Sequence, residues 1–389
     1  MKNLYFTLLY LTVVLIFSPK CIAQEEQQLQ GRDRELTLHS TTPYHVDSLP
    51  QLDIYGKPLN VVLMRGDGMS LSHISSLMSL NRGHVWLQNA TVTGLMDTCA
   101  LDSLITDSAA SGTAMATGRK AKYHTLGVDS DGTPRYNLTY FAFDNGLRSG
   151  VVSVCRLWDA TPAAFCCHNL DRDASQEIMA DYVSSNADLV IGGGAYLMSE
   201  GRTDGRDLFS ELQAKGFNIA TTMEELKAIN KGKIFAALAS VDLPEPKERG
   251  AFLTDVSLTA LNHLSQDNKG FFLMIEGSQL DDYAHANNLD LLMQETADFD
   301  QAAGAVMKWA ANNGNTLVII TADHETGGLT LVGGDHKGTI VGKFSTGGHS
   351  GRLVPVYVYG PGAIDFTGIY SNADLFHKII NALINSHLE

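Results

Sequence analysis

The sequence predicts an α/β fold: a central, mostly parallel sheet flanked by helices on both faces, with the active site at the carboxyl ends of the strands. Three observations lead there. Apolar runs of strand length alternate with longer amphipathic stretches, the pattern of a parallel sheet covered by helices. Several of those runs end in acidic or imidazole side chains. In an open parallel sheet the carboxyl ends of the strands border the ligand crevice, so such residues converge on one cleft.

Taken in order, the chain of 389 residues opens MKNLYFTLLYLTVVLIFSPKCIAQ. Lys2, the apolar run over 4–17 and the small residues Cys21 and Ala23 read as a signal peptide over 1–23, which predicts export to the periplasm or beyond the cell. The run is shorter than the ~20 apolar residues a membrane span needs. A lipid anchor on Cys21 is the alternative, with Pro19 and Lys20 a poor approach to it. Residues 24–55 are polar and read as an irregular N-terminal arm. Residues 56–389 read as a single catalytic domain with a short insertion at about 326–346.

Within that domain LNVVLM predicts a strand and SGVVSV another, followed by a Thr-Pro turn at Thr161. ADLVIGGG and GKIFAAL add two more. DVSLTALNHLSQDNKGFFLMIEG reads helix, turn, strand; ETADFDQAAGAVMKWAANNGNTLVIITADH repeats the pattern with an Asn-Gly break. LVPVYVYGPG is a late strand, and NADLFHKIINALI a closing helix. No later apolar run is long enough for a transmembrane segment.

The formal net charge of −15 becomes −17 once Lys2 and Lys20 leave with the signal peptide. Such a body repels nucleic acid and anionic membranes, so an anionic ligand requires a local positive centre. Beyond Cys21, the cysteines Cys99, Cys155, Cys166 and Cys167 are too few for a disulfide scaffold and lack metal-finger spacing. They read as buried thiols.

Asp67 follows the first strand between two glycines, and Thr161 follows the strand near 151–154. Glu276 ends FFLMIEG, with Asp281 and His285 just beyond. Asp323 and His324 end LVIITADH, and His349 lies in the turn STGGHSG. Singly, each such Asp is a turn former or helix cap. Gathered at one sheet edge, the carboxylates repel one another unless cations lie between them. The set therefore predicts a multi-metal site: His with Asp suits zinc, while the all-oxygen Asp67, Thr161 and Glu276 suit magnesium.

The stretch LITDSAASGTAMATG supplies hydroxyls without a neighbouring base. Ser108 falls at the start of a helix, where the dipole is positive, and a serine can serve as nucleophile once a metal lowers its pKa. Thr106, Ser111 and Thr113 read as cap or packing hydroxyls. Arg172, eleven residues after Thr161, can fork two phosphoryl oxygens; the competing reading pairs it with Asp171 or Asp173.

The motifs GDGM, TDSAASGTAMATG, DATPAAF, EGSQLDDYAHANN, TADHETGG and GGHSG, in that order, resemble the alkaline phosphatases from about residue 59 to the C-terminus. The resemblance implies two Zn2+ and one Mg2+. Asp281, His285 and His349 match one zinc, Asp323 and His324 match the second, and Ser108 is counted among the metal-contacting residues. Asp67 matches the bridge to a third site shared with Thr161 and Glu276. Ser108 matches the nucleophile that becomes phosphorylated, and Arg172 the phosphate-binding arginine. The implied reaction hydrolyses small phosphate monoesters to an alcohol and inorganic phosphate, which also inhibits.

Two departures stand out. Asp282 lies where relatives often carry Lys, His or Trp, and with Asp159 it implies a third metal held differently or more weakly. The short segment between His324 and His349 offers a homodimer little support. A phosphodiesterase of the same superfamily is the alternative, and a non-catalytic phosphate-binding protein a distant one. A sulfatase is excluded, because no C-x-P-x-R motif occurs.

Overall fold

A computed structural model describes residues 34–40 and 42–385, so the signal peptide and the start of the arm lie outside the described residues. Strands run in chain order as β1 (Leu36–His39), β2 (Asn60–Gly66), β3 (Val92–Asp97), β4 (Arg148–Arg156) and β5 (Leu189–Gly193). They continue as β6 (Phe217–Ala220), β7 (Lys233–Ala237), β8 (Phe271–Gly277), β9 (Thr316–Thr321) and β10 (Glu325–Thr326). The last are β11 (Thr330–Asp335), β12 (Thr339–Lys343), β13 (His349–Ser350), β14 (Val354–Tyr359) and β15 (Gly368–Ser371).

Ten strands form one sheet in the order β15-β3-β14-β9-β2-β8-β4-β5-β7-β6. Only the two pairings of β14 are antiparallel; the rest are parallel. Every residue of β2, β8 and β9 is buried, as expected where helices cover both faces of a parallel sheet. The helix Leu289–Asn313 packs on the helices Phe252–Leu264 and Leu71–Leu80. It starts on an Asn288 cap that accepts from the Leu291 N–H, and ends at Gly314 in the left-handed conformation. Its buried stripe includes Leu292, Thr296, Phe299, Ala303 and Met307, so removing the Phe299 ring would cost ~3–5 kcal/mol.

The direction of β14 matters for the site. It runs against β9, so its beginning lies beside the carboxyl end of β9. The segment before it therefore reaches the same crevice as the loops that leave the parallel strands. The small ladder of β10 with β13 completes this, pairing Thr326 with His349.

The arm is more regular than its composition suggests. Leu36–His39 forms β1, pairing with β12 inside the 326–346 insertion. The alternation Leu-Thr-Leu-His puts Leu36 and Leu38 against the core while Thr37 and His39 stay exposed. Cys155, Cys166 and Cys167 are buried free thiols and Cys99 is half-buried. Among the described residues no helix is long and apolar enough to cross a membrane.

Candidate metal centre

The turn after β2 is built for close approach. Gly68 has φ +67°, and a methyl group there would stand 2.7 Å from Thr326 Oγ1 and 2.8 Å from Asp281 Oδ1. Only glycine fits that backbone and that space. The Gly68 N–H donates to Asp323 Oδ1 at 3.1 Å, joining the β2 and β9 loops.

Six predicted residues fall into two linked groups. Asp67, Asp323 and His324 form a buried inner group, and Asp281, His324 and His349 an outer one, the potential ligand atoms of each within 4.8 Å. His285 joins the outer group, with Nε2 3.1 Å from Asp281 Oδ2. The tautomers follow from the bonds. His285 Nδ1 is 2.8 Å from the Gly347 carbonyl, and His349 Nδ1 is 2.8 Å from that of Thr106. A carbonyl only accepts, so each Nδ1 carries a proton. The two Nε2 atoms then face each other at 3.1 Å beside Asp281, a donor set that suits a cation.

His324 is oriented the same way. The Thr326 hydroxyl donates to Asp281 Oδ1, so it accepts from His324 Nδ1 at 3.1 Å. Nε2 is turned toward the carboxylates, 2.8 Å from Asp323 Oδ2 and 3.6 Å from Asp67 Oδ1. Asp67 Oδ1 is buried without a hydrogen-bond partner among the described residues. Both donor sets, mixed nitrogen and carboxylate oxygen, fit zinc-like cations.

Electrostatics agree. Burial raises Asp281, but His285, His324 and His349 overcome it and hold the carboxyl well below its usual range. Burial lowers His285, yet its bond to Asp281 wins and lifts it to about 9. Burial and the neighbouring His324 push His349 down to about 4. For Asp67, burial and the Asp323 charge raise the pKa against the pull of Arg65. For Asp67 the second cause, the Asp323 charge, is a crowding of carboxylates that a bound cation would relieve.

Ser108 is the first residue of the helix Ser108–Thr117, whose cap is Asp107, accepting from the Ala110 N–H at 3.0 Å. Its Oγ lies 3.2 Å from Nε2 of His324, the residue the two groups share. The helix is buried throughout, which its run of small residues permits. Ser111 Oγ donates to the Asp323 carbonyl, a packing role as expected. Arg172 pairs with neither Asp171 nor Asp173. It donates to Asp107 Oδ2 at 3.0 Å and Asp159 Oδ1 at 3.4 Å, which sets its guanidinium against the residue preceding Ser108. Asp171 and Asp173 face His124 instead, at 3.4 and 3.1 Å on the exposed surface.

Thr161 and Glu276 also reach this crevice. Thr161 Oγ1 donates to Asp67 Oδ2 at 3.1 Å, and Ser153 Oγ donates to Glu276 Oε2 at 2.6 Å. Partial desolvation and then the Asp281 charge raise Asp282 to about 7. Sequence reasoning missed the supporting residues Thr326 and Ser153, which carry no signal of their own. It also missed Arg65, fully buried and bonded to both Asp67 and Asp323. One basic residue at the end of the apolar run NVVLMRG was the available sign.

Comparison with known proteins accords with this geometry. The profile of the alkaline phosphatase family matches residues 59–343. Alkaline phosphatase 4 of Bacillus subtilis is 35% identical over 70% of this chain, and the match spans 62% of that protein's length. Alkaline phosphatase H of Pseudomonas aeruginosa is 30% identical over 84% of this chain and 85% of its own. The solved alkaline phosphatase from the Antarctic bacterium TAB5 superposes with a TM-score of 0.81 at 38% identity, covering 84% of this chain and 99% of that one. A profile spanning most of the domain, and a fold and sequence shared almost end to end with a solved member, place one conclusion beyond the motifs alone: the chain belongs to the alkaline phosphatase family, a family of metal-binding phosphatases.

Proposed function

We propose that this protein is an exported phosphomonoesterase that hydrolyses phosphate monoesters through a phosphoserine at Ser108. The observation that carries the reading is the position of Ser108 Oγ, 3.2 Å from Nε2 of His324, the residue shared by both groups of nitrogen and carboxylate donors. Asp281, His285 and His349 would hold one cation, and Asp67 Oδ1, Asp323 and His324 a second. When bound, such cations lower the pKa of the attacking oxygen and screen the charge that develops on the phosphoryl group.

The chain's own residues do the rest. Arg172, held by Asp107 and Asp159, presents its fork toward the phosphoryl oxygens. Ser108 gives its hydroxyl proton to solvent and Oγ attacks phosphorus in line: the Oγ–P bond forms as the bond from phosphorus to the alcohol oxygen breaks. The departing alkoxide takes a proton from water. A water oxygen then attacks phosphorus as the P–Oγ bond breaks, a proton returns to Ser108 Oγ, and inorganic phosphate is released. Backbone carbonyls of Gly347 and Thr106 keep the outer imidazoles turned inward throughout. Magnesium as a third cofactor is the resemblance's suggestion; two mutants of the TAB5 enzyme have structures with Mg bound in their M3 site.

Hydrolysis of p-nitrophenyl phosphate by wild type and Ser108→Ala, with zinc and magnesium supplied and after chelation, tests the proposal. Expected is monoesterase activity lost on chelation and reduced by several powers of ten in the variant. Faster cleavage of bis-p-nitrophenyl phosphate would move the protein to the diesterases. Phosphate binding without turnover of either would reject catalysis.

A further inference from the structure

Arg65 is the one charged residue of β2, and its side chain is completely buried. Moving a guanidinium out of water costs several kcal/mol, which only well-placed carboxylates offset. Here Nη2 donates to Asp67 Oδ2 at 3.0 Å and to Asp323 Oδ2 in a shorter bond. Glu276 lies directly across the ladder from it, since β2 and β8 pair Arg65 with Glu276 in parallel register. The fold makes room: a methyl group at Gly112, in the Ser108 helix, would stand 3.2 Å from Arg65 Nη1.

The oxygens it engages matter most. Asp67 divides its carboxylate, leaving Oδ1 free toward His324 while Oδ2 takes both Arg65 and Thr161. Oδ2 faces the all-oxygen set of Asp67, Thr161 and Glu276. Glu276 Oε2 in turn already accepts from Ser153. Magnesium needs near-octahedral oxygen coordination and tolerates little competition for its few protein ligands. In this chain those oxygens are already bonded to donors, and a fixed positive charge stands among them.

We propose that Arg65 supplies the positive charge of the third cation, so that the chain retains two dications, at the outer and inner groups, rather than three. The oxygen a third dication would take from Asp67 is the one that already accepts from Arg65 Nη2 and Thr161 Oγ1, and the dication would stand beside the guanidinium. Like charges at such separations oppose each other strongly. Buried Arg65 Nε and Nη1 lack partners among the described residues, so the group is held through its carboxylate contacts at Nη2, not by a full complement of hydrogen bonds.

The test counts metal in the protein loaded with zinc and magnesium and then desalted, by inductively coupled plasma mass spectrometry, with magnesium titrated calorimetrically into the zinc-loaded form. Wild type should retain two ions per chain and little magnesium. Arg65→Met should bind magnesium about tenfold or more tightly than wild type. A third ion retained by wild type, or no gain in Arg65→Met, overturns the proposal. Should Arg65→Met fail to fold, Glu276→Gln decides: a count unchanged at two supports the proposal, and a loss of one ion rejects it. The proposal rests on the metal-site reading above. Absence of p-nitrophenyl phosphate hydrolysis in the same preparation would refute the phosphatase reading, while the metal count would still decide this one.

Discussion

The outer and inner halves of the metal centre solve one electrostatic problem in different ways. In the outer half, side chains remain partly open to solvent: His285 is 33% exposed and Asp281 17%. His285 and His349 turn their Nε2 atoms toward each other beside Asp281, a donor set open to a cation from outside. The inner half is closed, with Asp323, His324 and Arg65 all at 0%. It carries its own guanidinium. Water can screen the first group, whereas in the second the enclosing protein supplies part of the neutralising charge itself. Outer ions should exchange readily; the inner set is part of the folded core.

The largest effect should come from breaking the inner half. Asp323→Asn removes the carboxylate that makes the shorter of the two Arg65 contacts and leaves a buried charge half compensated, which should cost about 3–5 kcal/mol in urea-unfolding stability of the chelated protein. An unchanged midpoint would mean that Arg65 contributes nothing there.

Next comes pH. His73 is fully buried beneath the turn that follows Asp67, and its Nδ1 accepts from the Ser70 N–H. Burial lowers its pKa to about 4. The unfolded chain binds that proton near pH 6.5 and the folded chain does not, so the contribution is complete above about pH 6.5 and lost as pH falls toward about 4. The loss approaches ~3 kcal/mol. His73→Asn, which keeps an acceptor in place, should flatten the slope of thermal stability between these values; an equally steep profile would assign the acid sensitivity elsewhere.

A smaller effect sharpens the outer half. Thr326→Val removes the hydroxyl that orients both Asp281 and His324, and should weaken zinc binding by about 10–100-fold in competition with a chelator. Equal affinity would show that the outer ligands need no such support. Smallest in stability is Asp107→Ala, which loses a helix cap worth about 1 kcal/mol. It also frees Arg172, so KM for phosphate monoesters should rise by more than the stability change explains.

Much of the site was legible because its ligands follow apolar strands. Strand ends are where a parallel sheet opens its crevice, so Asp67, Glu276, Asp323 and His324 could be assigned to one edge from position alone. Export and the arm's first residues lie outside the described residues and stay with the sequence reading. The β1 strand was hidden in a polar segment, since four residues of weak alternation carry too little signal without the β12 partner that stabilises them.

What the sequence determined by itself was the alternation of elements, the candidate ligand types and the place of Ser108 at a helix start, all local properties of short stretches. Tertiary structure alone decided three things. It ran β14 antiparallel and so delivered His349 to the crevice. It turned Arg172 to Asp107 and Asp159 and away from its own neighbours. And it closed Arg65 between Asp67 and Asp323, residues 2 and 258 positions away in the chain. The value of a charge depends on what surrounds it in space, and those surroundings are assembled only when distant strands meet.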